Sequence, residues 1–158
     1  MENLSGNRVT FEQALEKAEK FCAYQERSQQ DVRRRLRAWK VGESDAEAVI
    51  AELISRNFLS EARYAAAFVS GHYRIMRWGR LKIAAALRQE GVTERCIQAA
   101  FRETDFSDYR ETILKVADVW RKCHTDVPPE AVRWKLRSYL FGRGFEPDEI
   151  SRAEEMIR

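Results

Sequence analysis

Apolar residues recur three and four positions apart along this chain, and no stretch alternates with period two long enough to read as a strand. Thr10 and Gln13 form a capping box ahead of Phe11, Ala14, Leu15, Ala18, Phe21 and Cys22, which predicts a first helix. Ser28 and Asp31 repeat the box before Val32, Leu36 and Trp39, and Gly42 is expected to close that second helix. Ser44 or Asp45 is the expected cap of a third, with Val49, Ile50 and Leu53 inward. The pattern then restarts. Ser60 caps a helix through Tyr64, Ala65, Phe68, Val69 and His72, which Trp78 and Gly79 break. Ile83 and Leu87 mark the next, ended by Gly91, and Thr93 caps one with Ile97, Ala100 and Phe101 inward. A final round begins at Ser107 with Ile113, Val116, Ala117 and Trp120, then turns at Asp126-Val127-Pro128-Pro129. It runs through Val132, Leu136 and Leu140 to Gly142 and Gly144, and Pro147 opens a last helix with Ile150, Ala153 and Ile157 inward.

Nine helices in three groups of three predict an all-α fold of three tandem three-helix repeats, covering residues 10–58, 59–106 and 107–158. The second helices share a frame: Val32 to Leu36-Arg37, Ile83 to Leu87-Arg88 and Val132 to Leu136-Arg137. Val41 and Val92 follow five residues after the Leu; the third repeat has an insertion there, and Phe145 takes that place. One such unit is marginal alone, so the repeats are expected to stack into an elongated, curved rod.

With 158 residues, 44% apolar and 34% charged, the chain can bury a core, and seven Gly and three Pro leave too few turns for a sandwich or barrel. No apolar run approaches the ~18 residues of a membrane span, Met1 to Thr10 lacks a signal pattern, and Cys22, Cys96 and Cys123 are odd in number. These features predict a cytoplasmic protein without membrane association or disulfides.

Net charge is only +3, but its distribution follows the repeats. Arg27 to Lys40 carries +5, Arg74 to Arg88 +5 and Arg133 to Arg143 +4. Glu43 to Glu61 carries −4, Glu94 to Glu111 −2 and Glu146 to Glu155 −4. Basic second helices thus alternate with acidic third helices, a field that attracts polyanions or acidic protein surfaces. The competing reading is structural: Arg37, Arg88 and Arg137 near helix C-termini offset the helix dipole, and Arg35 snorkels over apolar neighbours.

Catalytic and cofactor signatures are missing from the sequence. It has no Gly-rich phosphate loop, no ligand spacing among its Cys and His residues and no local nucleophile signature, so no metal, cofactor or enzyme activity is expected. His72 reads as a packed core histidine. Trp39 and Trp120 lie on apolar stripes, whereas Trp134, between Arg133 and Lys135, is the best candidate for an exposed ring.

The run Phe58-Leu59-Ser60-Glu61-Ala62-Arg63-Tyr64-Ala65-Ala66-Ala67-Phe68-Val69, followed by Gly79, Ile83, Leu87, Arg88, Gly91 and Val92, resembles the signature of RecX regulatory proteins. Tyr139-Leu140-Phe141-Gly142-Arg143-Gly144-Phe145 and Ala23-Tyr24-Gln25-Glu26-Arg27-Ser28 resemble it as well. The resemblance implies three three-helix repeats and a non-enzymatic modulator of the RecA recombinase. Such a modulator binds the RecA filament on single-stranded DNA and inhibits its ATPase, strand-exchange and coprotease activities, in DNA recombination, repair and the SOS response. Two positions depart from the family pattern: Ser60 stands where an acidic residue usually follows Phe-Leu, and Arg80 where Pro often follows Gly79.

The candidate binding face comprises Arg33, Arg34, Arg37, Arg77, Arg80, Lys82, Arg88, Arg133, Lys135 and Arg137. Its expected partner is the RecA filament, and single- or double-stranded DNA is a possible direct ligand. Nothing requires a dimer, so the chain is read as a monomer. Two alternatives remain: a nucleic-acid-binding helical protein acting without a recombinase, and a helical adaptor for another protein.

Overall fold

The computed structural model describes residues 8–156, so the inward position expected for Ile157 lies outside the described residues. Every regular element among them is a helix. The first triplet is α1 (Phe11–Tyr24), α2 (Gln29–Ala38) and α3 (Glu43–Ser55); the second is α4 (Glu61–Arg74), α5 (Arg80–Gln89) and α6 (Glu94–Glu103). The third is α7 (Tyr109–Cys123), α8 (Pro129–Gly142) and α9 (Pro147–Glu155). Helices pack chiefly within their own triplet, the first against the third and the second against both.

The expected capping boxes close α1 and α2: Thr10 and Ser28 accept from the N3 amides and receive the N3 side chains in return. Ser60 caps α4 as expected, by accepting from Arg63 N at 3.2 Å. One expected cap differs. Gly42, not Ser44 or Asp45, is the N-cap of α3, with no side-chain cap hydrogen bond.

The C-terminal turns of the second helices reveal the true register of the repeat. Lys40, Gly91 and Gly144 have φ of 60°, 80° and 98°. In each case the next amide returns to a carbonyl five residues back: Val41 to Leu36 (3.0 Å), Val92 to Leu87 (3.0 Å) and Phe145 to Leu140 (3.2 Å). This is one Schellman closure made three times. It corrects two expectations. Lys40, not Gly42, turns the chain after α2. In the third repeat, Leu136 and Leu140 hold the places of Val32 and Leu36; the extra turn lies at the start of α8, with no insertion after the Leu. Arg137 therefore corresponds to Arg33, and Phe141 to Arg37 and Arg88.

The stack is not uniform. The second and third triplets share one core, in which Tyr64, Val69, Ile83, Leu87, Ile113, Trp120, Leu140 and Phe145 belong to a single cluster. The first triplet closes a separate core around Leu15, Val32, Leu36, Val49 and Leu53.

Candidate functional site

The second helices, which carry the basic residues, meet end to end. At the joint between the third and second triplets, the N-terminus of α5 donates to the last carbonyls of α8: Gly79 N to Arg143 O and Leu81 N to Gly144 O, both 2.9 Å. Orphan donors of one helix thus satisfy orphan acceptors of the next. A side chain at Gly79 would overlap the carbonyl of Gly144 and the amide of Phe145, so only glycine fits. Arg143 Nη2 bridges to the carbonyls of Met76 (2.5 Å) and Arg77 (3.2 Å). Arg80, where the family resemblance leads one to expect proline, makes contacts through both its amide and its side chain. Its amide donates to Tyr109 Oη at 3.1 Å, and its guanidinium pairs with Glu146 at 2.8 Å and lies 4.2 Å from the Tyr109 ring centre. Proline could supply none of these contacts. Tyr109 also donates to Glu146 across the joint.

The joint between the second and first triplets has the same arrangement in different chemistry. Glu90, at the C-terminus of α5, accepts from Ser28 Oγ at 2.7 Å and from Arg34 at 3.0 Å, at the start of α2. Its carboxylate meets the positive end of the α2 dipole. Arg63 donates to Glu26 at 2.9 Å beside it. Arg63 also donates to the Asn57 carbonyl at 2.8 Å, and no backbone–backbone hydrogen bond joins these triplets among the described residues.

The ten basic candidates fall into two sets. Five are held by carboxylates. Arg33 binds Glu47 through Nε (2.7 Å) and Nη2 (3.2 Å), and Arg88 binds both oxygens of Glu94. Arg137 binds Glu154 through Nε (2.8 Å) and Nη2 (2.6 Å), Arg34 bridges Asp31 and Glu90, and Arg80 binds Glu146. These hydrogen bonds depress the Glu47 and Glu94 carboxyls below their ordinary range and raise the Arg33, Arg88 and Arg137 guanidinia. Among the described residues, the other five make no hydrogen bond to a carboxylate, and Arg133 makes only a long ion pair. Arg37, Arg77 and Lys135 are exposed, Lys82 Nζ lies 4.3 Å from the Trp78 ring centre, and Arg133 is 3.9 Å from Glu154. Helix pairing thus accounts for half the basic pattern, leaving Arg37 in the first triplet, Arg77 and Lys82 in the second, and Arg133 and Lys135 in the third available to a partner.

Sequence reasoning did not single out Phe141, which is 55% exposed; Trp134, on the same helix, is 60% exposed. His72 is half-buried, stacked on Phe68 at 3.7 Å with Nδ1 on the Phe68 carbonyl, as expected for a packed histidine. Among the described residues, no cluster of His, Cys, Asp and Glu has metal-site geometry, and no helix is long and apolar enough to cross a membrane.

Two family models match the chain: the first three-helix domain of RecX over residues 14–53 and the second over residues 60–100. The regulatory protein RecX of Leptothrix cholodnii is 32% identical over 138 residues, covering 85% of this chain and 82% of that one. The RecX protein of Chromobacterium violaceum is 30% identical, covering 85% and 84% of the two chains, and that of Escherichia coli strain SE11 is 26% identical over 95% of each. The fold matches a crystal structure of regulatory protein RecX with a TM-score of 0.84 at 21% identity, over 92% of this chain and 73% of that one. It matches RecX from Lactobacillus salivarius with a TM-score of 0.77 at 19% identity, over 92% and 95%.

Proposed function

The chain belongs to the RecX family, and from that premise we propose that it binds the RecA filament on single-stranded DNA and inhibits its ATPase, strand-exchange and coprotease activities. The observation that carries this reading is the end-to-end column of α8, α5 and α2, with unpaired cations on each triplet. A filament wound on DNA presents a repeating groove, and an elongated body with cations spaced along it engages successive subunits or exposed phosphate. Three modest contacts on one stiff body gain avidity when their spacing matches the groove. Seated there, the chain excludes a second DNA and holds subunits away from the geometry ATP hydrolysis needs. Arg37, Arg77, Lys82, Arg133 and Lys135 make the first contacts; Arg33, Arg34, Arg80, Arg88 and Arg137 act chiefly in holding helices and triplets together.

The test is ATP hydrolysis by the cognate RecA on single-stranded DNA, titrated with this protein beside a DNA-binding control of similar charge. Inhibition at less than one copy per RecA subunit, with much weaker binding to bare DNA, supports the proposal. Unchanged hydrolysis at saturating protein and low salt, or a fall that only tracks competition for bare DNA, rejects it.

A further inference from the structure

The seam between the first triplet and the other two is built unlike the rest of the molecule. The first triplet keeps its own core, and no helix of it packs along a helix of the second. Leu59 is buried in the first core and Tyr64, one turn into α4, in the second. Ser60 stands between them in extended conformation, with φ −141° and ψ 117°. The hydrogen bonds that cross the seam end chiefly on Arg63 and Glu90.

Hollows flank this seam. Gln29 and Arg33 of α2 border a gap of about 40 Å³, together with Ser28 and Glu90. Asp31, on the opposite side of the same turn of α2, borders a cleft of about 520 Å³. Gln25 and Glu26 belong to the first-triplet wall of that cleft; Phe68, Gly71, Ile75 and Met76, of α4 and the turn after it, belong to the other. Tyr24, next to Gln25, is 83% exposed and Ile75 is 81% exposed, the two highest values among the large apolar side chains described. Bare apolar groups thus stand at both walls of one open cleft, and burying them against each other is favourable.

The cleft is held open from the gap. Ser28 and Glu90 both border it; Ser28 Oγ donates to Glu90 at 2.7 Å and Arg34 donates to the same carboxylate at 3.0 Å. Closing the large cleft widens the gap on the other side of α2 and pulls these partners apart. We infer that the first triplet is a latched arm: released from Glu90, it swings about Ser60 and closes the cleft beside α4, laying Tyr24 against Ile75 and Met76. Hinges of this kind need only a few residues that absorb the backbone change. Closure carries Arg37 to a new distance from Arg77 and Lys82, so it tunes how the cations of the column match their partner. That consequence rests on the proposed function; closure itself does not, and its test contains no RecA, so failure of one leaves the other standing.

The experiment is hydroxyl-radical footprinting of the full chain, read by mass spectrometry as the oxidation rates of Tyr24 and Met76, with Trp134 on the third triplet as the internal reference. Glu90→Ala should lower both rates relative to Trp134 by about threefold, as the closed state becomes the majority population. Adding Gly71→Phe should restore the Tyr24 rate. A side chain at Gly71 meets nothing within 4 Å, so the ring stands in the cleft and props it open. The parent in about 1 M salt, where the ion pair at Glu90 is screened, should shift in the same direction as Glu90→Ala. Rates at Tyr24 and Met76 that match the parent in Glu90→Ala would overturn the inference, as would equal protection of Tyr24 with Gly71→Phe present. If Glu90→Ala instead raises oxidation throughout the first triplet, the parent in high salt decides: unchanged rates there overturn the inference, and a fall at both residues supports it.

Discussion

Replacing Gly79 with alanine tests the joint on which the column depends. The new methyl would overlap the backbone of Gly144 and Phe145, atoms fixed by the Schellman turn of α8. No flexible side chain is there to move aside, so α5 and α8 must separate. Separation weakens two inter-helix hydrogen bonds, Gly79 N to Arg143 O and Leu81 N to Gly144 O, each contributing about 1 kcal/mol net. It also loosens the packing of Tyr109 on Phe145, whose ring centres are 5.6 Å apart. Overpacking of this kind costs about 1–3 kcal/mol, so the total is about 3–5 kcal/mol. For a chain of this size each kcal/mol shifts Tm by about 2–4 °C, so Tm should fall by about 10 °C. The assay is thermal and urea unfolding followed by circular dichroism. Gly71→Ala is the control: it lies inside α4 with nothing within 4 Å of the added methyl, and should stabilise by about 0.5–1 kcal/mol. The reasoning is refuted if Gly79→Ala unfolds within about 0.5 kcal/mol of the parent, since that much is expected of an unremarkable substitution.

Three further outcomes follow from the same structure. Lys40→Gly should stabilise the chain by about 1 kcal/mol in urea unfolding, because it supplies the residue that Gly91 and Gly144 provide at the same turn. Glu90→Ala removes the acceptor shared by Ser28 and Arg34; it should cost about 1–2 kcal/mol and let the first triplet exchange amide hydrogens before the shared core of the other two. Desolvation by burial raises Tyr64 and Tyr73 from 10.0 to about 12 and Cys22 from 9.0 to about 11. A raised group stabilises fully below its unfolded value and loses that contribution as pH rises through its folded one. Urea midpoints should therefore hold to about pH 9 and fall toward pH 12; a flat profile there would contradict these burials.

The triplet architecture was legible because apolar spacing and the boxes at Thr10 and Ser28 are local signals. The register of the third repeat was not, because Val132-Leu136-Arg137 imitates the frame of the first two. The spacing from Leu87 to Gly91-Val92 recurs from Leu140 to Gly144-Phe145, and Lys40 in place of glycine masked the pattern in the first repeat. Basic residues were visible at once, but their engagement was not. Arg34 meets Glu90 across 56 positions and Arg80 meets Glu146 across 66, pairings that only the joints create. The exposure of Trp134 could be read from its place off the apolar stripe, while that of Phe141 depended on the corrected register.

The central claim is that unpaired cations along the column engage the RecA filament. The most direct measurement is co-sedimentation of the protein with cognate RecA filaments on single-stranded DNA, for the parent and for a variant reversed at Arg37, Arg77 and Lys135. Among the described residues, none of these three side chains is in an ion pair with a carboxylate, so folding should be preserved, as circular dichroism and Tm would report. The account predicts that the parent sediments with filaments and the variant binds at least tenfold more weakly. Equal sedimentation of the two, or a parent that stays in the supernatant, would contradict it.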